Sequence, residues 1–252
     1  MKFTAFILGI LLLAACANKE FPLNEKESEF SEISEVQVLE AEELTDKKDG
    51  SEELPSEAVP VFSRNDWKLI LVNYQNLLPE DFEVALNRTH GYLMDHRITG
   101  AYESMYEDAK KDGIDLLLCY GYRTKEQSQQ LLEKQINRQI ASGLSYDDAV
   151  EEAKKWVAPP GTSEHHTGLA LDIVTPAYQM LTYEFANTDA AVWMRENAHR
   201  YGFILRYPED KEEITGITFE PWHYRYVGPE AAGYIYENGL CLEEFLKGDN
   251  VN

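Results

Sequence analysis

Two short polar segments, about fifty residues apart, constrain the fold of this 252-residue chain more than any other feature. They are residues 163–172, which carry two histidines and end in Asp172, and residues 220–223, which run from Glu220 to His223. Three nitrogen or oxygen ligands with a fourth position left open make a catalytic zinc site, and a further carboxylate can serve as the base. A fold that brings the two segments together would therefore build the metal centre of a hydrolase.

Within the first segment, His165 and Asp172 lie seven residues apart, with Gly168 between them. The glycine lets the loop fold back, while residues 169–174 predict a strand that presents Asp172 at a fixed height. A neutral imidazole and a carboxylate are both good zinc ligands. His166 offers a second imidazole, so either histidine could be the ligand. The alternative to a metal site is a surface histidine and a turn aspartate.

In the second segment, the spacing of three between Glu220 and His223 can put both side chains on one side of a tight stretch of chain. Pro221 stiffens the approach, and Trp222 supplies a bulky apolar anchor. A glutamate about one water away from a metal can take the proton of that water and pass it to a leaving amine. The alternative is a tryptophan anchor whose polar neighbours have no chemical role.

A third candidate is Arg123, which directly follows the apolar run of residues 114–120 and precedes a predicted helix. An arginine at such a junction reaches into a cleft at the edge of a sheet. Its guanidinium can bind a carboxylate through two parallel hydrogen bonds. The alternative is a surface arginine paired with one of the many acidic residues of the chain.

The first residues predict export rather than a folded element. Lys2 precedes a short apolar stretch, residues 6–13, which is followed by two alanines and Cys16. This pattern resembles a bacterial lipobox, in which residues 1–15 are the signal peptide and the cysteine is acylated. Lipid on Cys16 would anchor the protein to the outer face of a membrane. The alternative is an ordinary secretory signal with a chance cysteine.

Residues 16–60 predict an acidic, disordered tether. From residue 17 onward this stretch holds fourteen acidic residues against four lysines, and such like charge with few aromatic residues does not support a packed core. Residues 61–252 are enough for one domain. Of the total charge of −22, the domain keeps −13 once Lys2 and the tether are set aside. This acidity argues against nucleic acid or anionic lipid as a partner, and an anionic substrate would need a local cation.

Helices and strands are mixed along the domain without regular alternation, which favours an α+β fold. Helical spacing and capping residues predict helices at residues 101–111, 124–141, 145–156 and 189–201, and a final one from Pro229. Apolar runs predict strands at residues 69–72, 114–120, 169–174, 203–206 and 223–227, the second of them in the interior of a sheet.

Two cysteines fall within the domain, Cys119 and Cys241. An exported protein permits a disulfide between them, and the sequence leaves that pairing open. Cys119 ends the apolar run of residues 116–119, which predicts a buried free thiol. Neither cysteine has the spacing of a zinc ligand pair.

Taken together, the three segments resemble the VanY-like zinc D,D-carboxypeptidases, a family of peptidoglycan metallopeptidases. The Tyr-Arg-Thr segment of residues 122–124, the Ser-x-His-x-x-Gly-x-Ala-x-Asp segment and the Glu-x-Trp-His segment occur here in the family order. Residues 201–207 and 224–228 are also similar. The resemblance covers roughly residues 65–240, and it implies a compact α+β fold with a small central antiparallel sheet flanked by helices.

Carried over by position, the resemblance implies a role for each candidate. The zinc ligands would be His165, Asp172 and His223, the catalytic base Glu220, the clamp on the substrate carboxylate Arg123, and a further polar contact Ser163. Family members often carry glutamine at the position of His166, which favours His165 as the ligand. Many carry glutamine at the position of Ser128, which affects the details of substrate recognition.

The function implied is that of a lipid-anchored, extracytoplasmic carboxypeptidase with one zinc ion per chain. It would act as a monomer and remove the terminal D-alanine from peptidoglycan stem peptides. Within the same chemistry, the alternatives are L,D-carboxypeptidase activity and endopeptidase cleavage of cross-links. From a different class, the alternative is a lipoprotein that binds the cell wall without catalysis.

Overall fold

A computed structural model describes residues 60–252 of the chain. The predicted signal peptide at residues 1–15, the predicted anchor Cys16 and all of the predicted tether except Pro60 lie outside the described residues. Within the described range, no helix has both the length and the apolar composition that crossing a membrane requires.

The domain contains two antiparallel sheets and seven α-helices among its described residues. The strands are β1 (Leu86–Thr89), β2 (Tyr92–Asp95), β3 (Leu117–Tyr120), β4 (Ala170–Val174), β5 (Phe203–Leu205) and β6 (His223–Tyr226). The helices are α1 (Thr99–Lys111), α2 (Lys125–Ala141), α3 (Tyr146–Lys154), α4 (Asp189–Asn197), α5 (Glu212–Thr215), α6 (Pro229–Glu237) and α7 (Leu242–Lys247). The order β3-β4-β6-β5 forms the central sheet, and β1 and β2 form a separate hairpin. The predicted α+β class, with a small antiparallel sheet flanked by helices, is confirmed.

The main core lies around β4, whose five residues are all buried. Helix α1 covers it with Tyr102, Met105 and Ala109, which lie on one face because they are three and four residues apart. Full burial of a large apolar side chain stabilises the folded state by about 1.5–3 kcal/mol. The core therefore holds β4 rigidly, and Asp172 is the charged residue within that strand.

The four helices predicted before residue 202 are present. The last of them is α4, which continues as a 3-10 turn over Ala198–Tyr201 and ends at Gly202 in the left-handed region. Ser145 caps α3 as expected, and Thr124 caps α2. The helix that begins at Pro229 is not the last one, because α7 follows it.

Residues 69–72 do not form the predicted strand. A 3-10 turn over Trp67–Leu69 ends at the start of this run, and Leu69 and Val72 are buried without a partner strand. The physical reason is that Arg225 Nη2 donates hydrogen bonds to the carbonyl oxygens of Lys68 and Ile70, at 2.9 and 2.8 Å. Those carbonyls are thus satisfied by a side chain rather than by a neighbouring strand.

The run at residues 114–120 becomes a strand, β3, but at the edge of the sheet rather than in its interior. Its middle residues, Leu118 and Cys119, are still buried, because α1 and the β1–β2 hairpin cover them. The sequence analysis missed this hairpin, which turns through His90 and Gly91 with positive φ angles of 48° and 90°. Cys119 on β3 and Cys241 before α7 are both buried and are not joined by a disulfide; the Cys119 thiol donates to the Asp172 carbonyl oxygen at 3.3 Å.

Candidate metal centre and active site

The central sheet brings the two polar segments together. Strands β4 and β6 are antiparallel neighbours, and their register sets Asp172 directly opposite His223. His165 lies on a 3-10 turn, Glu164–Thr167, that leads into β4. Gly168 ends that turn with φ 71°, and a Cβ atom there would lie 2.8 Å from the backbone nitrogen of Asp95. The glycine is therefore required for the turn to fold back over the sheet.

The side chains of His165, Asp172 and His223 converge on one point. Asp172 Oδ1 lies 3.5 Å from His165 Nε2 and 3.2 Å from His223 Nδ1. One ligand atom from each of the three residues lies within 4.8 Å of the other two, and all three residues are buried. Asp172 Oδ1 has no hydrogen-bond partner among the described residues. Two imidazoles, a carboxylate and an unpartnered buried oxygen fit a divalent cation such as zinc.

His165 is held in the orientation that a ligand needs. Its Nδ1 lies 2.8 Å from the carbonyl oxygen of Gly121, to which an Nδ1–H donates, so that Nε2 faces Asp172 with its lone pair. Glycine is required at position 121, since a Cβ there would lie 2.2 Å from the oxygen of Leu93. His166 turns away, and its Nδ1 lies 2.7 Å from the carbonyl oxygen of Arg123. The structure thus places His165, and not His166, in the three-residue cluster.

Burial and mutual charge shift the pKa values of the protein groups in this cluster. Burial lowers the pKa of His165 to about 4, which keeps its imidazole neutral. Burial opposes ionisation of Asp172, but His165 and His223 outweigh it and hold the pKa of that carboxyl well below its usual range. For His223, burial is outweighed by Asp172 and Glu164, which raise its pKa to about 9. A cation that binds here therefore competes with a proton on His223.

Glu220 lies beside the cluster rather than in it. Its backbone nitrogen donates to the carbonyl oxygen of Tyr207, and its Oε2 lies 3.6 Å from His223 Nδ1. Burial raises the pKa of the Glu220 carboxyl to about 8. A carboxyl with a pKa near neutral, next to a cation site, is suited to exchange protons with a reacting molecule.

Arg123 is tied to the turn that carries His165. The Arg123 backbone nitrogen donates to the His165 carbonyl oxygen at 3.1 Å, and the Arg123 carbonyl accepts from His166. Its guanidinium carbon lies 4.7 Å from the centre of the Tyr120 ring. It forms no ion pair with any residue that the structure describes, and its Nε is buried without a hydrogen-bond partner among them. The guanidinium is thus free for an anion.

All six site residues predicted from the sequence line one cleft. They are Arg123, Ser163, His165, Asp172, Glu220 and His223. The rest of its wall is mostly apolar and includes Leu131, Trp156, Val157, Leu181, Ile217 and Trp222. A cation site, a buried acid, a free guanidinium and an apolar wall together suit a small substrate group with an anionic end.

The sequence analysis missed two features of this site. Tyr207 lines the cleft, with its ring centre 4.8 Å from that of His223. Glu164 lies behind His223, where it pairs with Arg206 and Arg225. The sequence offered one signal, the positions of these residues. Glu164 directly precedes His165, and Arg206, Tyr207 and Arg225 lie in segments that resemble the family.

Comparison with known proteins agrees with this arrangement. The family model described as VanY, D-alanyl-D-alanine carboxypeptidase, matches residues 91–229, more than half of the chain. A protein of Enterococcus faecalis (strain ATCC 700802 / V583) named D-alanyl-D-alanine carboxypeptidase is 44% identical over 182 residues. That match covers 72% of this chain and 66% of the relative, so this chain spans just under two thirds of that relative's length.

Two solved structures are also similar. One is a mutant of the vancomycin resistance D,D-pentapeptidase VanY from a VanB-type resistance cassette, in complex with Zn(II). It is 44% identical, covers 72% of this chain and 100% of its own, and has a TM-score of 0.67. The other is VanYB in complex with D-alanine-D-alanine, with 44% identity, a TM-score of 0.68, and coverage of 73% and 99%. With the family model and these relatives in agreement, the chain belongs to the VanY D-alanyl-D-alanine carboxypeptidase family.

Proposed function

We propose that this chain is a zinc-dependent D,D-carboxypeptidase that removes the C-terminal D-alanine from peptidoglycan stem peptides. The observation that carries the proposal is the cleft in which His165, Asp172 and His223 meet beside Glu220 and Arg123. The relatives support it, since one solved relative is in complex with Zn(II) and another with D-alanine-D-alanine.

The three clustered residues, His165, Asp172 and His223, would hold one zinc ion per chain. When bound there, zinc would polarise the scissile carbonyl and lower the pKa of a water molecule. His165 would bind the zinc through Nε2 as a neutral imidazole. Its Nδ1–H donates to the Gly121 carbonyl oxygen, which keeps Nε2 directed into the site.

Glu220 would move the proton. Its carboxylate accepts a proton from the attacking water, and its carboxylic acid then donates that proton to the nitrogen of the departing D-alanine. As the C–N bond breaks, the stem peptide keeps the new carboxylate and D-alanine leaves as the amine. Burial raises the pKa of the Glu220 carboxyl to about 8, and a cation bound beside it would lower that pKa, so that the carboxylate could accept the proton near neutral pH.

Arg123 would hold the free carboxylate of the terminal residue. A guanidinium binds a carboxylate bidentately, and Arg123 has no competing ion pair among the described residues. Because the domain carries a charge of −13, this local positive charge is what makes an anionic chain end acceptable in the cleft. Ser163, which is buried in the same cleft, would add a polar contact.

Defined stem peptides test the function directly. We expect a pentapeptide that ends in D-alanyl-D-alanine to lose one D-alanine, as seen by the mass of the product, whereas the same peptide with a C-terminal amide is spared. Loss of one residue from the tetrapeptide instead would favour L,D-carboxypeptidase activity, and cleavage inside a cross-linked dimer would favour an endopeptidase.

Arg123→Ala provides the matched control for the free carboxylate. Loss of a charge-assisted hydrogen-bonded pair costs about 1.5–3 kcal/mol, or about 10–100-fold in kcat/KM. The variant should lose this factor on the free acid through KM, and it should discriminate less between acid and amide. If the variant cleaves the free acid like the wild type, the clamp is wrong and the endopeptidase alternative gains support.

We also propose that the protein works outside the cell as a lipid-anchored monomer. The lipobox-like start at residues 1–15, with Cys16, and the acidic tether at residues 16–60 support the anchor. The single-chain origin of all six site residues supports the monomer. Cys16→Ser should move the full chain from the membrane fraction to the soluble fraction, and retention in the membrane fraction would contradict the anchor.

A further inference from the structure

Four charged side chains lie buried behind the metal centre, away from the cleft. They are Glu164, Arg206, Arg225 and Glu243, each at most 5% exposed, and we refer to them as the buried charge cluster. None of them lines the cleft, so none can touch a substrate there. Removing charges from water is costly, and well-packed apolar residues often serve stability equally well. Their burial therefore points to a role other than stability.

Glu164 uses its two oxygens differently. Oε1 accepts a hydrogen bond from Arg206 Nε at 2.8 Å and another from Arg225 Nη1 at 2.7 Å. Oε2 has no hydrogen-bond partner among residues 60–252, and it lies 3.6 Å from His223 Nε2, which also has none. The two unpartnered buried atoms thus face each other.

The two arginines cannot easily turn to satisfy Oε2 instead. Arg206 holds both oxygens of Glu243 in a bidentate pair, at 2.8 and 2.6 Å. Arg225 donates from Nη2 to the carbonyl oxygens of Lys68 and Ile70 and from Nε to that of Tyr226. The other hydrogen bonds of Arg206 and Arg225 thus hold both guanidinium groups in place on Oε1. Oε2 of Glu164 is therefore left facing His223.

We propose that Glu164 is a positioning residue for His223. It accepts the Nε2–H of the imidazole, which leaves Nδ1 bare and directed at Asp172, 3.2 Å away. A partner on the far nitrogen of a metal-bound histidine fixes the tautomer and the ring, and its loss typically lowers metal affinity 10–100-fold. The inference rests on the proposed function only in taking His165, Asp172 and His223 as ligands of a cation.

Glu164→Gln tests the role with an isosteric change. The single amide oxygen must take the place of Oε1, because two arginine donors point there. The amide NH₂ then faces His223 Nε2, so a donor stands against a donor. The imidazole is driven to the tautomer with a proton on Nδ1, which does not bind a cation. We expect the dissociation constant for zinc, measured by chelator competition, to rise about 10–100-fold, and the absorption spectrum of the cobalt(II)-loaded chain to change.

Glu243→Gln is the matched control. It removes a buried carboxylate from the same Arg206, but Glu243 has no contact with His223. A purely structural role for the cluster predicts that both variants lose thermal stability and that zinc affinity changes in both or in neither. Positioning predicts that only Glu164→Gln loses zinc affinity. Equal affinities in the two variants would overturn the inference.

A measurement on the wild-type chain covers the case in which Glu164→Gln fails to fold. Nitrogen-15 NMR of the zinc-loaded protein should show His223 protonated at Nε2 and bare at Nδ1, and the reverse tautomer would overturn the inference. Failure of the proposed function is distinguishable: a wild-type chain that binds zinc but releases no D-alanine contradicts the function alone, whereas a chain that binds no zinc overturns both. Zinc binding by the wild type that Glu164→Gln leaves unchanged would overturn only the positioning role.

Discussion

Replacing Glu220 with glutamine should lower kcat/KM for D-alanine release by about 10²–10⁴-fold, the usual contribution of a general acid–base group. The amide has the size of the carboxyl but cannot accept the proton of an attacking water. Glu220 lies beside the three clustered ligands and is not one of them, so zinc content should stay near one per chain. Release of D-alanine from a defined pentapeptide, with zinc analysis of the same sample, measures both effects.

Stability should change little in this variant. Burial raises the pKa of the Glu220 carboxyl to about 8, so at pH 7 the protein's own groups favour the neutral acid, and glutamine is its neutral isostere. Glu209→Gln, on an exposed glutamate, is the matched control and should leave both activity and zinc unchanged. If Glu220→Gln releases D-alanine at the wild-type rate, Glu220 is not the base.

Asp172→Asn should abolish stoichiometric zinc binding and with it the activity. The residue is buried, and its Oδ1 lies within 3.5 Å of a nitrogen of each histidine in the cluster. An amide oxygen carries no charge to balance a divalent cation in so enclosed a site. Losing several kcal/mol of transition-state stabilisation corresponds to at least about 10³-fold in rate. Metal analysis after dialysis, and the rate on the same pentapeptide, measure the two losses.

The pH dependence of zinc affinity in the wild type provides a second measurement of the same site. The pKa of His223 is raised to about 9, so its imidazole carries a proton at pH 7 that a bound cation must displace. Zinc affinity should therefore rise with pH until about pH 9, and fall as the pH is lowered. Calorimetry in two buffers of different ionisation enthalpy should count about one proton released per zinc at pH 7.

Asp95→Asn is the matched control for Asp172→Asn. It removes a buried carboxylate charge without removing a proposed metal ligand. Asp95 is also fully buried and pairs with Arg97, but it is outside the metal cluster. This variant should lose thermal stability and keep its zinc. Zinc retained at one per chain in Asp172→Asn, or no proton release in the wild type, would contradict the assigned ligand set.

The residue types of the site could be predicted from the sequence more readily than their arrangement in space. Imidazole and carboxylate types mark the candidates, but each segment alone has an ordinary alternative interpretation. What unites them is the register of β4 and β6, which sets Asp172 opposite His223. Residue types do not encode that register, because it depends on which strands become neighbours. The order of three segments, matched to a family, supplied this missing information.

Long-range contacts of buried polar side chains explain most of the errors. The apolar residues 69–72 fit a strand pattern, but Arg225 takes their neighbouring carbonyls from more than 150 residues away. Likewise, nothing local to Glu164 reveals that Arg206 and Arg225 pair with it. Leu116, Leu118 and Cys119 are buried, as the apolar run predicted, but the pattern of a strand covered by a hairpin and a helix cannot be distinguished from that of a strand between two others.

The hydrogen bond between Arg123 and the His165 carbonyl has a consequence for which peptides this cleft accepts. One end of that bond belongs to the segment proposed to bind a carboxylate, and the other to the segment proposed to hold the metal. On this proposal, main-chain atoms would set the distance from the chain terminus to the scissile bond, and the close approach of Gly121 to Leu93 would help to fix it. A fixed distance of this kind would favour the removal of one residue at a time. Exchanging side chains along the cleft can alter which residue fits, but changing how many residues are removed requires rebuilding the loops.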